Sequence, residues 1–173
     1  VRNLAPERIN TFPDSPTYGK PISYPNESQV FSILKLENGI AGTLSINGDS
    51  TIQDQAHFMI YGKKGILKLT DPNTFGGNVI YLPAQKDFED HPTPQILNYG
   101  FSYGENSRGL GPSEMADAIF EKRENRANAE LAVHVLDVID HMVESSEKGA
   151  FVQVTSTCKR PEPMPSYVRR NLF

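Results

Sequence analysis

Apolar and polar positions alternate in several short stretches of the chain, and a period of two residues is typical of strands. The stretch VFSILKL is followed by Glu37-Asn38-Gly39 and then by IAGTLSIN. Asn38-Gly39 supplies the positive φ that tight hairpin turns require, so this segment is predicted to be a β-hairpin. On its second strand the apolar residues share one face with Gly42, whereas the other face carries small or polar residues, Ala41, Thr43, Ser45 and Asn47. One face is therefore predicted to be buried and the other to be small and polar.

The same alternation recurs further along the chain. AHFMIYG and GILKLTD flank Lys63-Lys64, with Gly62 and Gly65 at the two ends of the turn, and predict a second hairpin. NVIYL at 78–82 predicts another short strand, and AFVQV after Gly149 predicts a last one. The sheet is therefore expected to be mainly antiparallel.

Two segments have the helical spacing instead. The first is predicted over about Ser113 to Lys122, with Met115, Ala118 and Ile119 on one side. Glu114 lies near its start, where the helix dipole favours negative charge. The second is predicted from near Asn128, a good N-cap, to about Ser146. Its apolar residues gather on one broad arc, which is expected to cover a core: Leu131, Ala132, Val135, Leu136, Val138, Ile139, Met142 and Val143. These elements predict an α+β fold.

The pattern also suggests how the chain is organised. Residues 1–28 have little apolar periodicity and are interpreted as an irregular entry segment, followed by one domain over 29–165 and a tail over 166–173. The stretch from Pro83 to Gly111 is long and rich in proline and aromatic residues, which is typical of binding loops and lids. It is the best candidate for a functional surface.

Composition and charge argue against several classes of function. The 173 residues carry a formal charge of −4, with acidic and basic residues interspersed, so a nucleic acid partner is not expected. No stretch approaches the roughly 20 apolar residues of a membrane helix, and VRNLAPERIN lacks a signal-peptide pattern, so we expect a cytoplasmic protein without membrane contact. Cys158 is the only cysteine, which excludes an internal disulfide and is expected to be structural or incidental.

Candidate chemistry appears at three places. Glu130, His134, Asp137 and His141 share one side of the second predicted helix. A His-Asp-His metal site is conceivable there, but a solvated face with four-residue pairing is preferred and no metal is predicted.

RGLG resembles part of a phosphate-binding turn, but Glu114 stands where the third glycine belongs and no strand precedes it directly. Glycine flexibility, a proline near the first helical position and Ser113 as an alternative cap explain that turn.

Arg108, close in sequence to Tyr99 and Tyr103, could hold a carboxylate or a sugar hydroxyl, or serve only the loop.

Several phrases together are similar to a known family. RGLGPSEMADAI, RENRANAELAVHVLDVIDHM and FVQVTSTCKRPEP, with the two hairpin phrases VFSILKLENGIAGTLSIN and MIYGKKGILKLTD, resemble the end of the NAD(P)-dependent oxidoreductases of the glucose-fructose oxidoreductase, inositol dehydrogenase and MocA type. The resemblance implies a C-terminal domain with a large, mainly antiparallel, open-faced sheet and helices packed on one face. The other sheet face commonly serves subunit association and, with neighbouring loops, closes over a sugar, polyol or related cyclic substrate.

The same resemblance limits what is expected of this chain. The family's catalytic lysine lies in a Glu-Lys-Pro motif, and an Asp and a His lie on a helix that opens the second domain; none of these maps here. No catalytic and no cofactor-binding residue is therefore predicted. The N-terminal Rossmann domain that binds NAD or NADP is expected to lie outside this chain.

Two functions remain open from the sequence. The first is the substrate-binding and oligomerisation domain of such an oxidoreductase, inactive alone and forming a homo-oligomer through its open sheet face. Its candidate substrate contacts are Asn98, Tyr99, Tyr103 and Arg108. The alternative is a free-standing, sheet-mediated interaction module without enzymatic activity.

Overall fold

The computed structural model describes residues 1–50, 57–97 and 107–164. Its strands and helices follow in chain order: β1 (Glu7–Ile9), β2 (Pro21–Ser23), β3 (Gln29–Lys35), β4 (Ala41–Asn47), β5 (Phe58–Gly62), β6 (Gly65–Leu69), β7 (Val79–Pro83), β8 (Gln95–Leu97), α1 (Leu110–Glu121) and α2 (Ala129–Lys148). The chain divides into two compact units, one formed from Val1–Gln53 with Ala129–Lys159 and the other from Asp54–Asn128 with Arg160–Phe173. Each unit is described by itself.

The first unit is built on the predicted hairpin. β3 and β4 pair in antiparallel register from Gln29↔Asn47 to Lys35↔Ala41. The turn closes with Gly39 N–H donating to the Leu36 carbonyl at 2.9 Å, and Gly39 adopts φ +82°, which an L side chain rarely accepts. The Asn38 side-chain oxygen accepts from the backbone N–H of Ile40 at 3.1 Å. The prediction of this hairpin is confirmed.

The exposed face of the hairpin is less polar than β4 alone suggested. Phe31 is opposite Ser45 and Ile33 is opposite Thr43, so β3 adds two large apolar side chains to the face that β4 lines with small ones. Phe31 and Ile33 are 66% and 63% exposed. On β4 the small face is exposed as predicted, but the surface of the whole hairpin is more apolar, because the cross-strand neighbours on β3 complete it.

The entry segment contains structure that its composition did not predict. β1 and β2 form a short antiparallel pair from Glu7↔Ser23 to Ile9↔Pro21. Arg8 forms an ion pair with Asp49, just after β4, and stacks over the Tyr24 ring at 4.4 Å. Asp49 also accepts from the buried Ser28 hydroxyl at 2.7 Å. These contacts attach the entry segment to the end of the hairpin.

The second unit contains a four-stranded antiparallel sheet in the order β5-β6-β7-β8. The predicted β5-β6 hairpin and the β7 strand are confirmed, whereas β8 lies in the long stretch that was read as a loop. At Gly65 the backbone has φ +144°, and an added Cβ would collide with the Leu82 carbonyl oxygen on β7. Only glycine fits there, because β7 passes directly against that atom position.

Helix α1 begins three residues earlier than predicted. Leu110 is its first residue, so Ser113 lies inside the helix and is not its cap, and Gly109 at the N-cap position makes no side-chain cap bond. The buried stripe is Leu110, Glu114 and Ala118, at spacings of four, whereas Met115 and Ile119 are 50% and 73% exposed. The predicted apolar side was therefore wrong in two of its three members. The helix ends at a left-handed Lys122, whose N–H and that of Arg123 bond back to Ile119 and Ala118.

Helix α2 matches its predicted range closely, and part of its predicted apolar arc is covered. Leu131, Val138, Met142 and Val143 on that arc are half-buried, whereas Val135, Leu136 and Ile139 are about half exposed. His134, Asp137 and His141 on the polar arc are half-buried as well. The chain after Gly149 runs along that polar arc, with Val152, Val154, Ser156 and Cys158 turned inward at alternate positions. This segment has the alternation of a strand but no ladder partner among the described residues, so the prediction of a strand at AFVQV was wrong.

The overall class is the predicted one. Antiparallel sheets and two helices make the chain an α+β protein. In the described residues the strands form three sheets, of two, two and four strands.

Candidate functional site

The turn ahead of α1 carries the one sequence-predicted contact residue that the structure describes. Arg108 is exposed and its Nη2 donates to the Asn73 side-chain oxygen at 2.9 Å. Asn73 lies in a turn that Asp71 organises, because the Asn73 N–H donates to the Asp71 carboxylate at 2.8 Å and the Thr74 N–H to the Asp71 carbonyl at 3.1 Å. Asn98, Tyr99 and Tyr103 lie outside the described residues, so their assignment stays a prediction.

The glycines of this turn do not form a nucleotide cradle. Gly109 has φ −74° and ψ −10°, an ordinary right-handed conformation, and an added Cβ at Gly109 or Gly111 would meet no described atom within 4 Å. A phosphate cradle needs glycines where the backbone approaches the ligand closely, and neither Gly109 nor Gly111 is required by its backbone conformation or by a close neighbour among the described residues. The residues here do not fit a dinucleotide. Their conformation does not require glycine either, which corrects the explanation of the turn by glycine flexibility.

Glu114 forms the most strongly bound ionic cluster of the second unit. Its side chain is 7% exposed and accepts two hydrogen bonds from Arg123, at 2.6 and 2.9 Å, and two from Arg126 Nη1, at 2.9 and 2.8 Å. Arg123, and then Arg126, lower the pKa of Glu114 from its ordinary 4.5 to about 2, against the opposing effect of burial. Arg126 Nε also donates to the carbonyls of Glu162 and Pro163, at 3.0 and 3.3 Å. Glu114 therefore has a structural partner set, and the helix-dipole explanation of its position was wrong, since it lies beyond the first turn.

The polar arc of α2 is tied to the chain that follows the helix. His134 Nδ1 lies 2.8 Å from the Ser156 hydroxyl, and the Ser156 N–H donates to the Asp137 carboxylate at 3.3 Å. The Ser156 hydroxyl also bonds to Asp137 and is the main cause of the lowered pKa of that carboxyl. His141 Nδ1 is 2.7 Å from the Asp137 carbonyl and 3.1 Å from its carboxylate.

These bonds bear on the two interpretations of the arc. The pairing of Asp137 with His141 is confirmed, but the arc is not a fully solvated face, because His134, Asp137 and His141 are half-buried and Ser156 bonds to two of them. His134 and His141 each use Nδ1 in a hydrogen bond to a different partner, Ser156 and Asp137. Within the described ranges no group of three or more His, Cys, Asp or Glu side chains is placed to hold a metal ion.

A shallow cleft of about 460 Å³ lies in the first unit, between the start of α2 and residues 156–159. His134, Ser156, the half-buried Cys158 and Lys159 line it together with Glu130 and Val133. His134 is oriented there by Ser156, so the cleft contains one imidazole held in a fixed position. Among the described residues His134 bonds to Ser156 and makes no hydrogen bond to the Cys158 thiol, so the described part of the cleft shows no activated nucleophile.

Sequence reasoning missed two groups that organise these sites. Ser156 gave no signal, because its role depends on how the chain after α2 folds back. Glu114 did give one: it stands between Leu110 and Ala118 at spacings of four, in the middle of a buried stripe. A carboxylate there needs a cation, and Arg123 and Arg126 follow the helix closely.

These observations define the chain as an α+β domain whose one described candidate contact, Arg108, lies on a turn and whose described residues show no catalytic constellation. A protein-family model matches residues 2–154, described as the oxidoreductase family, C-terminal alpha/beta domain. The match covers most of the chain, which therefore belongs to the C-terminal domain family of the Gfo/Idh/MocA oxidoreductases. Searches among curated proteins and among solved structures gave no match. No helix of the described residues is long and apolar enough to cross a membrane.

Proposed function

We propose that this chain is the substrate-binding and oligomerisation domain of an NAD(P)-dependent oxidoreductase that acts on a sugar, a polyol or a related hydroxyl or carbonyl compound. Family membership over residues 2–154 is the observation that carries the proposal. In such an enzyme the nicotinamide supplies the hydride chemistry, and the protein supplies binding and orientation of the substrate. The chain is not expected to be active alone, and a cytoplasmic location is part of the same proposal.

Two features of the chain support the two roles. Arg108 presents a guanidinium on an exposed turn, where it can donate hydrogen bonds to oxygen atoms of a small polar ligand. Phe31 and Ile33 present an apolar surface on the hairpin, which is the kind of surface that subunit interfaces cover. The glycine turn before α1 does not fit a dinucleotide, so we assign no cofactor contact to this chain.

The substrate assignment is tested in the enzyme that carries this domain. Replacing Asn98, Tyr99, Tyr103 and Arg108 together with alanine should raise KM for its sugar or polyol substrate, with a matched replacement of Lys63 in the β5-β6 turn as the control. Unchanged KM and kcat in the fourfold variant would refute the contact residues.

The cofactor assignment is tested on the chain alone, by fluorescence titration with NADH and NADPH and by light scattering. We expect no cofactor binding and a dimer or larger mass. Micromolar cofactor binding would contradict the absence of a nucleotide site. The interaction module would be favoured if the chain formed a dimer, bound no sugar or polyol, and the protein that carries it showed no dehydrogenase activity.

A further inference from the structure

Arg108 differs from Arg8, Arg123 and Arg126 in what holds it. Arg8 pairs with Asp49, and both Arg123 and Arg126 pair with Glu114, so a carboxylate offsets each of these charges. Arg108 is held by the neutral amide oxygen of Asn73 at 2.9 Å. None of the ion pairs among the described residues includes Arg108.

The partner of Arg108 is itself held in place. The Asn73 backbone N–H donates to the Asp71 carboxylate at 2.8 Å, and the Thr74 hydroxyl donates to the Asp71 carbonyl at 3.0 Å. These bonds fix the turn that presents the Asn73 side chain. An acceptor on a fixed turn orients the guanidinium without neutralising it, which lowers the entropy that a ligand must remove when it binds.

The remaining donors of Arg108 suit an anionic group, of which a carboxylate is the one found on oxidised sugars. A guanidinium presents its N–H groups in a planar fork that matches the two oxygens of a carboxylate. Only one contact, from Nη2 to Asn73, uses this fork among the described residues. A neutral hydroxyl would occupy a single donor and would leave the charge without a counterion.

We propose that Arg108, oriented by Asn73, forms a carboxylate-binding subsite, so that the ligand of this domain is a sugar acid or a related hydroxy acid and not a neutral sugar. The inference rests on the proposed function, because it specifies the substrate class of the same turn. Asn73 is a positioning residue in this arrangement, and the guanidinium of Arg108 contacts the ligand.

The test compares D-glucuronate with D-glucose, which differ only in a carboxylate or a hydroxymethyl group at one carbon. Both are titrated into the 173-residue chain at constant ionic strength, and binding is followed by the NMR signals of the Asn73 and Arg108 amides. We expect glucuronate to bind about tenfold more tightly than glucose, as an added charge-assisted hydrogen bond implies. Arg108→Lys keeps the charge but loses the fork, and should weaken glucuronate binding about tenfold.

Asn73→Asp is the decisive variant. It is nearly isosteric and keeps an acceptor opposite Arg108, but its negative charge competes with the ligand, so glucuronate binding should fall by about tenfold or more. Lys63→Ala, which removes a cation from the β5-β6 turn of the same unit, should leave binding unchanged. The NMR spectrum of each variant shows whether the chain is still folded.

The outcomes separate this inference from the proposed function. Equal binding of glucose and glucuronate, with both lost in Arg108→Ala, would overturn the carboxylate subsite and leave Arg108 as a contact of a neutral substrate. The subsite would also be overturned if glucuronate did not bind, or if its binding were unaffected by Asn73→Asp and Arg108→Lys. The proposed function would still be decided independently, by KM and kcat of the fourfold alanine variant.

Discussion

At the residue scale, Glu114 is the charge on which the second unit depends most. Its carboxylate is nearly buried and bound by two guanidinium groups. Glu114→Gln leaves both cations without their counterion, so we expect the free energy of unfolding at pH 7 to fall by about 3 kcal/mol, the value that corresponds to the lowered pKa. Glu144→Gln is the control, since Glu144 pairs on the surface with Lys148, and should show no measurable change. Chemical denaturation of both variants measures the difference.

The pH dependence of stability in the parent and in Glu114→Gln tests whether the lost charge causes the lower stability. The pKa of Glu114 is lower in the folded chain, about 2, than its ordinary 4.5. A carboxyl whose pKa is lower in the folded than in the unfolded chain stabilises the fold at pH values above the unfolded-state pKa. This contribution is lost as the pH falls from 4.5 towards 2. The unfolding free energies of the parent and Glu114→Gln should therefore converge over that range. A difference that stays constant down to pH 2 would show that packing, and not charge, is lost in the variant.

Two glycines of the second unit should respond in opposite ways to alanine. At Gly65 the backbone has φ +144°, and a Cβ would collide with the Leu82 carbonyl and lie 2.8 Å from the Tyr81 ring. Gly65→Ala should lower stability by roughly 2 to 4 kcal/mol. At Gly111, inside α1 with open space around it, alanine should leave stability unchanged or raise it by up to about 1 kcal/mol. Thermal unfolding of the two variants checks both signs; a stable Gly65→Ala would contradict the close approach of β7.

At the element scale, the sequence predicted what is decided locally. The β3-β4 and β5-β6 hairpins depend on alternation and on a turn that nearby residues form, and both were predicted. The strand expected at AFVQV was wrong, because alternation shows that a segment is extended with one side inward but does not supply a ladder partner. For the same reason the half-buried side of α2 was predicted only in part, because it contains Leu131, Val138 and Met142 of the apolar arc but also His134 and His141 of the polar arc. Periodicity separates the apolar from the polar side, whereas the chain that packs on either side is distant in sequence.

The candidate sites follow the same division. Arg108 could be singled out because a cation on a glycine-containing turn is visible in the sequence. Asn73, 35 positions away, could not, because only the fold brings the two side chains to 2.9 Å. Ser156 was equally invisible, since its contacts with His134 and Asp137 depend on the return of the chain along α2.

That return of the chain gives a prediction about α2 and the segment after it. Ser156 is the residue that bonds to two side chains of the helix, so Ser156→Ala should detach the segment locally and cost about 1 kcal/mol. Amide hydrogen exchange should become faster at 150–158 and remain unchanged in β3 and β4. Thr157→Ala, at the exposed neighbouring position, is the control and should leave exchange as it is. Equal effects of the two substitutions would contradict the role of Ser156.

At the scale of the whole molecule, we expect the exposed hairpin face to be the surface through which copies of the chain associate. Phe31 and Ile33 are large apolar side chains more than half exposed, and Thr43 and Ser45 opposite them are small enough to allow close approach of another surface. Burying such a face between two copies removes apolar area from water, which is the main favourable contribution to association. The proposed homo-oligomer therefore has a specific surface that a single substitution can change.

Phe31→Asp places a charge on that face without altering the opposite, half-buried face of the hairpin. We expect the mass from sedimentation at tens of micromolar to change from a dimer or larger assembly to a monomer, because a buried, unpaired carboxylate costs several kcal/mol. Lys20→Asp, in the loop before β2, makes a charge change away from the face and should leave the mass of the assembly unchanged. Circular dichroism should show the same secondary structure in all three proteins. An assembly that persists in Phe31→Asp would place the interface elsewhere. A monomeric parent would remove oligomerisation from the proposed function, and the Arg108 experiments would still test its substrate-binding part.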